Sequence, residues 1–425
     1  MIRYLMLIIG CFLQLTLFSQ FKPLPYARMV VDSLSGPYYE GRGYVREGDM
    51  KAAFFIASEM YKLNLKRFPL APTFYQNFNF PVNTFPYPVF AALDESYLKP
   101  GIEFVPSPAC PSISGEYRLV WVDSSLLYNE TAFKKFSKQS FADAMIVMDE
   151  KGIVGEEEKK VFKNLGYNPF AAKGIIRIKD KITWSVATDT LPYAQLDIVR
   201  NVIHRQHQRI RVQIQNDFKS SYKSQNVITY IPGSEEPDSF IVFSAHYDHL
   251  GRIGHSVYFP GANDNASGVA MMLALAHHFS QPAFKPRYSV VFIAFGGEEA
   301  GLIGSKRFTM YPVFPLEKIR LLINVDLMGG GEDGITVVNG KEQQKIMQLL
   351  HKINEEKGLL KTIKERSNAP NSDHYFFAEA GVPAIFIYTM GAYKHYHDLH
   401  DQGKNLELTA FEQVFTTIIE LINRY

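Results

Sequence analysis

Cysteine is scarce in this sequence, and its scarcity limits the kinds of site that the chain can build. The 425 residues include two cysteines, Cys11 and Cys110. Cys11 lies in an N-terminal segment that we expect to be removed, so the mature chain would hold one thiol and no internal disulfide. A thiolate zinc cluster and an iron–sulfur site are excluded, because each needs several cysteines. Any metal site must therefore use His, Asp and Glu.

A charge excess of one sign is also lacking. Lys and Arg together number 45 and Asp and Glu 43, which gives a net charge of +2. A nucleic-acid-binding protein would show a strong basic excess, so we expect no nucleic-acid partner. Hydrophobic residues make up 46% of the chain, enough apolar material for a large core, and a disordered chain is excluded.

No apolar run is long enough to cross a bilayer, which needs roughly 20 residues. Residues 5–18 form a shorter run after a basic start, and Lys22-Pro23 ends it. This pattern predicts a signal peptide over residues 1–19 and export to the periplasm or the extracellular space, with no integral membrane segment after cleavage. The alternative is lipoprotein anchoring through Cys11, because Ile9-Gly10-Cys11 faintly resembles a lipoprotein box.

Two helices show start signals. Residues 48–65 carry apolar side chains at helical spacing, and Asp49 is the candidate N-cap. The last helix is predicted to begin with a capping box of Thr409 and Glu412 and to run to about Asn423. The apolar face of the first helix comprises Ala52, Phe55, Ile56, Met60 and Leu63.

The pattern of apolar runs and prolines along the chain changes at two points. From about residue 80 to residue 218, prolines crowd a series of short β-like runs, such as residues 117–122, 144–148 and 174–178. We therefore predict a separate β-rich module over residues 81–218. After residue 226, apolar runs alternate with helical patterns such as residues 267–279, which indicates a parallel sheet with crossover helices. The four buried-strand patterns are residues 239–244, 288–295, 319–325 and 384–388.

A His or a carboxylate follows each of these four strands. In open α/β sheets, ligands bind outside the carboxyl ends of the strands, so we expect these groups to share one edge. Taken singly, each would more often be a helix cap, a turn residue or a solvated side chain, and their joint position is what favours a site. The groups are His246, Asp248 and His249, then Glu298 and Glu299, then Asp326, then Tyr396, His397 and Asp401, with Asp264 just before the helix at residue 267.

Such a set of groups suits a two-metal hydrolytic site. Two His and three carboxylates would hold two divalent ions if one carboxylate bridges them. Two metals roughly 3.5–4 Å apart clamp the attacking and leaving oxygens and lower the pKa of a water. A further carboxylate must then take the proton of that water. Glu298 and Glu299 are adjacent, so one could face the metal and the other the water.

Six sequence motifs carry a family resemblance: HYDHLG (246–251), GANDNASG (261–268), GGEEAGLIGS (296–305), NVDLMG (324–329), SDHYFF (372–377) and YHDLHD (396–401). They resemble the M28 family of metallopeptidases, which are dinuclear zinc aminopeptidases and their relatives. The early segment LSGPYYEGRG (34–43) looks like the family's lead-in to its N-terminal helix. The β-rich module resembles the protease-associated domain that is often inserted in these enzymes.

The resemblance implies a phosphorylase/hydrolase-like α/β/α sandwich with a mixed, mainly parallel sheet. We expect residues 20–80 and 219–425 to form the peptidase domain. Residues 81–218 would be its protease-associated-like insert, and residues 1–19 the signal peptide.

The resemblance also implies a role for each residue of the predicted site. Glu298 would be the general base that deprotonates the water and later protonates the leaving amine. The cofactors would be two Zn²⁺ ions, and other divalent ions are possible. The ligands would be His246 and Asp326 for one zinc, Glu299 and His397 for the other, and Asp264 as the bridge.

Three further side chains would support the reaction. Asp248 would orient His246 from behind, and Asp401 would do the same for His397. Tyr396 would place a phenol that stabilises the tetrahedral oxyanion. The last motif departs from the family, because Asp398 follows His397 where Thr or Ser is usual. His395 and His400 crowd the same loop and compete with His397 as the ligand.

We expect an aminopeptidase that acts on peptide or protein N-termini. An aminopeptidase needs an acidic group for the substrate ammonium, and Asp373 is a candidate for that role or for supporting a ligand from behind. The alternative of a carboxypeptidase would need a donor such as Arg252 or Arg366 facing the site. A glutaminyl cyclase and a non-catalytic binding relative are further alternatives, but the first typically works with one metal and the second typically loses ligands or the base.

Two unrelated hydrolase classes are disfavoured. Residues 254–258 (GHSVY) approach the nucleophile elbow of a serine hydrolase, but Tyr258 replaces the final glycine. A His-Glu-x-x-His zincin is excluded, because no such string occurs.

Overall fold

Two eight-stranded sheets organise the chain in the computed structural model, which describes residues 21–69, 71–284 and 286–425. The predicted signal peptide and Cys11 lie outside the described residues. Within the described residues, no helix is long and apolar enough to cross a membrane.

The strands, in chain order, are β1 Tyr75–Thr84, β2 Phe90–Leu93, β3 Ser96–Tyr97, β4 Phe104–Pro106, β5 Ile113–Val122, β6 Ala144–Met148, β7 Gly174–Lys179, β8 Ala194–Val199, β9 Arg209–Ile214, β10 Asp217–Ile231, β11 Glu236–His246, β12 Arg252–Ile253, β13 Val257–Tyr258, β14 Tyr288–Phe295, β15 Ile319–Val325, β16 Gly334–Val338, β17 Ile363–Arg366 and β18 Ala384–Met390. The α-helices are α1 Pro23–Leu34, α2 Gly48–Lys62, α3 Ser124–Leu127, α4 Glu130–Phe136, α5 Glu156–Leu165, α6 Gly268–Ser280, α7 Ile303–Met310, α8 Gln344–Lys357, α9 His374–Glu379 and α10 Phe411–Arg424. Short 3₁₀ turns lie at Pro37–Arg42, Pro282–Phe284, Leu316–Lys318 and Gly403–Asn405, and a π-type turn at Ala262–Ser267.

The first sheet is mixed and has the order β1-β10-β14-β11-β15-β18-β16-β17. The four strands at its centre, β14, β11, β15 and β18, run parallel to one another. The outer strands β1, β10 and β16 add antiparallel pairings. The expected mixed, mainly parallel α/β sheet is therefore confirmed.

Helices cover both faces of this sheet. Alternate residues of a strand point to opposite faces, so Ile241 and Phe243 of β11 enter one core while Phe240 and Val242 enter the other. The first core is closed by α1, α2, α6, α8 and α10, and the second by α7 and α9. The result is the expected three-layer α/β/α sandwich.

The second sheet lies within residues 81–218 and has the order β3-β2-β9-β5-β6-β7-β8-β4. The flanking strands β1 and β10 belong to the first sheet, so the chain leaves that sheet after Thr84 and returns to it at Asp217. The core of the second sheet also contains Leu250, Ile253 and Phe259, which come from the segment after β11. The segment that follows β11 therefore connects the first sheet to the core of the second. The assignment of this segment as a protease-associated-like domain stays a prediction.

The N-cap prediction for the first of the two helices was wrong. α2 begins at Gly48, and Asp49 lies inside its first turn with no exposed surface. The Asp49 carboxylate accepts hydrogen bonds from Tyr222 Oη at 2.6 Å and Ser224 Oγ at 2.8 Å, both on β10. The Asp49 carboxylate therefore bonds to side chains of β10, and not to the backbone N–H groups at the start of α2 as an N-cap would. The predicted apolar face does pack against the core.

The capping box predicted for the last helix was also wrong. α10 begins at Phe411, and its cap residue, Ala410, makes no side-chain hydrogen bond to the helix. Thr409 instead donates its backbone N–H to the carbonyl of Gly329. The start of α10 is thus fixed by the loop after β15 rather than by its own sequence.

Candidate metal centre

The carboxyl ends of the parallel strands bring the predicted site residues together. His246 is the last residue of β11, Glu298 and Glu299 follow β14, and Asp326 follows β15. Asp264 lies in the π-type turn before α6, and His397 lies in the loop after β18. All six line one cleft with a volume of about 210 Å³.

Asp264 stands between two groups of side chains. Its Oδ1 is 3.4 Å from His246 Nε2, which is also 3.4 Å from Asp326 Oδ2. Its Oδ2 is 3.1 Å from His397 Nε2, which is 3.3 Å from Glu299 Oε2. The two oxygens of one carboxylate thus face two different histidines, as a bridging ligand would require.

The competing histidines of the last motif lie elsewhere. His395 Nδ1 is 3.4 Å from Asp398 Oδ2, and the side chain is 40% exposed. His400 is exposed, and its backbone N–H donates to Asp398 Oδ1. His397 takes the inward position with a left-handed φ of 57°. Asp398, the departure from the family pattern, therefore shapes the loop and is not part of the cluster.

The cluster fits divalent cations. Among the described residues, Asp326 Oδ1 and His249 Nε2 are buried without a hydrogen-bond partner. Burial acts to lower the pKa of His397, yet the Glu299 and Asp264 carboxylates raise it to about 11. Buried carboxylates without compensating charge are costly, and oxygen and imidazole donors suit zinc. Two groups could each hold a metal ion: His246 with Asp264 and Asp326, and His249 with Asp264 and Glu299. His397 faces the second group through the other oxygens of Asp264 and Glu299.

Asp248 contacts His246 and the two glutamates that follow β14, Glu298 and Glu299. Its carboxylate accepts hydrogen bonds from Tyr44 Oη at 2.6 Å and from the backbone N–H groups of Glu298 and Glu299 at 3.0 and 3.2 Å. The nearer contact to His246 is made by the backbone carbonyl of Asp248, 3.1 Å from Nδ1, while Oδ1 lies 4.0 Å away. Asp248 therefore orients His246 mainly through its main chain, and its side chain fixes the two glutamates.

Asp401 differs from its prediction. Its carboxylate accepts hydrogen bonds from the N–H groups of Asn263 at 2.8 Å and Asp264 at 3.0 Å, and from Tyr393 Oη at 2.8 Å. These donors occupy both oxygens, and no hydrogen bond joins Asp401 to His397 among the residues described. Asp401 thus holds the turn that carries Asp264 and does not orient His397.

Asp373 is unsuited to hold a substrate ammonium. It has no exposed surface and does not line the cleft. In the described part of the chain, neither of its oxygens has a hydrogen-bond partner. Burial raises the pKa of Asp373 to about 7. Of the two predicted roles, support from behind the cluster is the one that this position allows.

Tyr396 lines the cleft beside the cluster. Its ring stacks on that of His397, with centroids 3.8 Å apart and an interplanar angle of 14°. Burial, together with the carboxylates of the cluster, raises the pKa of Tyr396, so the phenol keeps its proton. A protonated phenol at the cleft can donate to a developing oxyanion, and this role stays a prediction.

Two buried residues of the site had no role in the sequence interpretation. His249 Nδ1 lies 2.7 Å from Glu299 Oε1, and the residue has no exposed surface. Its motif, HYDHLG, showed the residue but not its partner.

Arg42 is also fully buried, and it donates all five of its N–H groups to backbone carbonyls at the site. The acceptors are the carbonyls of Tyr247, Leu34, Pro260, Gly261 and Asp264. The signal in the sequence was its glycine neighbours, because a Cβ at Gly41 or Gly43 would lie 2.3 Å from the backbone of Gly251.

The β-rich segment reaches the loop of His397. The backbone N–H of Trp184 donates to the carbonyl of His397 at 3.1 Å. Lys181 Nζ lies 2.5 Å from Asp398 Oδ2, and Leu399 packs against the core of the second sheet. The second sheet therefore contributes directly to the position of one predicted ligand.

The comparison with protein families identifies the class. Residues 226–422 match the model of Peptidase family M28. All six motifs lie within this matched stretch, slightly under half of the chain, so the resemblance that they carry is confirmed.

Curated relatives match short segments. A probable zinc metalloprotease of Pyrenophora teres f. teres is 38% identical over 114 residues, which cover 26% of this chain and 24% of that protein. A vacuolar membrane protease of Candida glabrata is 34% identical over 114 residues, 27% of this chain and 11% of that protein. A glutamate carboxypeptidase 2 homolog of Caenorhabditis elegans is 34% identical over 128 residues, 29% and 16% respectively. The chain thus spans about a quarter or less of the length of these relatives.

Solved structures share the fold over nearly the whole chain. BSAP, a zinc aminopeptidase from Bacillus subtilis, has a TM-score of 0.70 at 20% identity, covering 95% of each chain. A Peptidase M28 precursor from Shewanella amazonensis SB2B has a TM-score of 0.66 at 18% identity, covering 93% of this chain and 92% of that one.

Proposed function

We propose that this protein is a two-zinc aminopeptidase that removes residues from the N-termini of peptides. The observation that carries the proposal is the position of Asp264, whose two oxygens face two separate histidine–carboxylate groups in the same cleft as Glu298. His246 and Asp326 would hold one zinc, Glu299 and His397 the other, and Asp264 both. When bound, the metals would supply Lewis acidity for the peptide carbonyl and lower the pKa of a water.

Glu298 is the proposed general base. It lines the cleft, and its backbone N–H is fixed by Asp248 at 3.0 Å. Burial raises the pKa of Glu298 well above its ordinary value, which makes its carboxylate a stronger proton acceptor. The carboxylate would take a proton from water and deliver it to the leaving amine, a contribution of roughly 10²–10⁴-fold to the rate.

Tyr396 would act on the opposite charge change. Its protonated phenol would donate a hydrogen bond to the oxygen of the peptide carbonyl as that oxygen becomes negative. Because its ring rests on His397, the phenol would be held beside the metal centre.

The substrate ammonium needs an acceptor within the cleft. Asp373 is buried behind it, so the proposed acceptor is an oxygen that the metals leave free on one of the ligand carboxylates lining the cleft. A carboxypeptidase is the second candidate, because Arg366 lines the same cleft and could bind a terminal carboxylate. Arg252 is excluded from that role, since Glu40 and the carbonyls of Gly254 and His255 occupy its guanidinium.

The test is Glu298→Gln, with Glu317→Gln as a control at an exposed glutamate. The Glu298 variant should keep a zinc content near two per chain and lose turnover of aminoacyl anilides by about two orders of magnitude or more. The control should match the unaltered protein. Full activity of Glu298→Gln would contradict the mechanism.

A substrate panel separates the remaining candidates. Turnover of free-amino substrates supports the aminopeptidase, and turnover of N-blocked peptides alone supports the carboxypeptidase. Ammonia release from peptides with N-terminal glutamine would indicate a glutaminyl cyclase. A zinc-loaded protein that hydrolyses none of them would be a binding relative.

A further inference from the structure

One wall of the cleft contains none of the proposed metal ligands. It is formed by residues at the ends of the last strands of the first sheet and in the loop before α9, namely Leu327, Arg366, Asn371, Phe386 and Tyr388. Phe386 and Tyr388 are two residues apart on β18, so both point to the same face. Arg366 is the last residue of β17, at the edge of the sheet.

Arg366 has most of its hydrogen-bonding capacity free. Its Nη1 donates to Tyr388 Oη at 3.1 Å. No carboxylate lies within 4.0 Å of its guanidinium in the described ranges, and the side chain is exposed. Arginine carries five donors in a planar fork that matches the two oxygens of a carboxylate. Tyr388 holds one of these donors in place, and the rest remain available to a ligand.

The cleft is lined by charges of both signs. The metal side carries the carboxylates of Asp264, Glu298, Glu299 and Asp326, which two zinc ions would neutralise. Apart from histidines, Arg366 is the one cationic side chain among the described residues that line the cleft. A substrate that places a peptide bond at the metals would therefore meet a positive charge at the other wall.

The cleft is also small. Its volume of about 210 Å³ lies below the roughly 300–1,000 Å³ of pockets for drug-sized ligands. An occupant of one or two amino-acid residues would fill it. Because Arg366 lines the same cleft as the proposed metal ligands, a negative group that reaches it would belong to a residue close to the scissile bond.

We propose that Arg366, held by Tyr388 and assisted by the exposed amide of Asn371, binds a carboxylate of the substrate. That carboxylate is either the side chain of an N-terminal Asp or Glu or the terminal carboxylate of a short peptide. The inference rests on the proposed function, because it assumes that the peptide bond is cleaved at the metal side of this cleft.

The experiment compares matched substrates on zinc-loaded protein. Glutamyl and glutaminyl anilides differ only in the side-chain carboxylate, and a dipeptide and its C-terminal amide differ only in the terminal carboxylate. The unaltered protein should prefer the charged member of one pair by about 10- to 100-fold in kcat/KM, as expected for a charge-assisted hydrogen bond. The pair that shows the preference identifies the source of the carboxylate.

The variants are Arg366→Gln, which removes the charge, and Arg366→Lys, which keeps the charge without the fork. The preference should fall to near one in Arg366→Gln, mainly through KM, and to an intermediate value in Arg366→Lys. The matched control is Arg287→Gln, because Arg287 lies just before the amino end of β14, away from the carboxyl ends that form the cleft, and pairs with Glu236. Zinc content measured for each variant reports whether the metal centre is intact.

Three results would overturn the inference. The unaltered protein could show no preference within either pair, or the preference could survive in Arg366→Gln. Hydrolysis of none of the substrates would refute the proposed function and the inference together. Cleavage of N-blocked dipeptides that depends on Arg366 would refute the aminopeptidase assignment alone, and it would support terminal-carboxylate binding.

Discussion

Replacement of Arg42 by lysine should lower both the stability of the fold and the zinc affinity of the proposed metal centre. Arg42 donates five hydrogen bonds to buried carbonyls, whereas an ammonium has three donors. At least two carbonyls would lose their partner, at about 1–3 kcal/mol each. Arg42→Lys should therefore lower the free energy of unfolding by about 2–6 kcal/mol, a large share of the usual 5–15 kcal/mol.

The hydrogen bonds lost in Arg42→Lys should also weaken zinc binding. Two of the acceptors, the carbonyls of Gly261 and Asp264, lie in the turn that carries the proposed bridging carboxylate, and a third belongs to Tyr247, next to His246. Burial lowers the pKa of Arg42 to about 10, so the guanidinium stays charged at neutral pH and its hydrogen bonds are charge-assisted. Without them, the turn and the end of β11 can separate.

The assay is urea unfolding followed by tryptophan fluorescence, with and without zinc, combined with zinc competition against a chelator. Arg67→Lys is the control, because Arg67 also donates to a backbone carbonyl, that of Ala71, at an exposed position outside the cluster. The control should unfold at a slightly lower urea concentration and bind zinc normally. If Arg42→Lys matched the unaltered protein in both measurements, the proposed role of the buried guanidinium would be refuted.

Three further perturbations test other contacts. His249→Phe should weaken retention of the zinc at Glu299, measured by chelator competition, because Nδ1 lies 2.7 Å from Glu299 Oε1; unchanged zinc affinity would contradict this. Lys181→Met removes the ion pair to Asp398 and should lower kcat/KM with no loss of global stability, whereas equal kcat/KM would show that the loop holds itself. Burial raises the pKa of Asp49 from 3.8 to about 7. The folded protein therefore binds this proton more tightly than the unfolded chain, and stability should fall as pH rises from about 4 to about 7, by on the order of 4 kcal/mol. Asp49→Asn should reduce this pH dependence. The prediction is contradicted if the urea midpoints at pH 5 and pH 8 differ as much in the variant as in the unaltered protein.

The central strands and the composition of the site could be predicted from the sequence. Continuous apolar runs such as residues 288–295 are typical of strands buried on both faces, and the structure begins and ends β14 at those residues. Parallel strands end at one edge, so residues such as His246 and Asp326 had to meet there. This step needed only the positions of the strands and of the His and carboxylate residues that follow them in the sequence.

The caps and the supporting contacts could not be predicted in the same way. The carboxylates of Asp49 and Asp401 each have several possible local partners, and the partner actually used comes from a distant segment. Arg42 is more than 200 positions from most of its acceptors. Contacts of this kind are set by how the two sheets and the N-terminal segment pack, which no local pattern reports.

The second sheet is inserted where its removal would be simplest for the chain. Thr84 and Asp217 are direct partners across β1 and β10, so a short turn could join them and leave an ordinary hairpin. Yet Trp184 and Lys181 of the inserted segment hold the loop of His397. The segment is thus joined to the first sheet at a single point of that sheet, yet it supports the loop of a proposed ligand. A lineage that lost it would keep the strands and helices of the α/β/α sandwich, but would have to cover Leu250, Ile253 and Phe259 and rebuild the support of its last ligand loop.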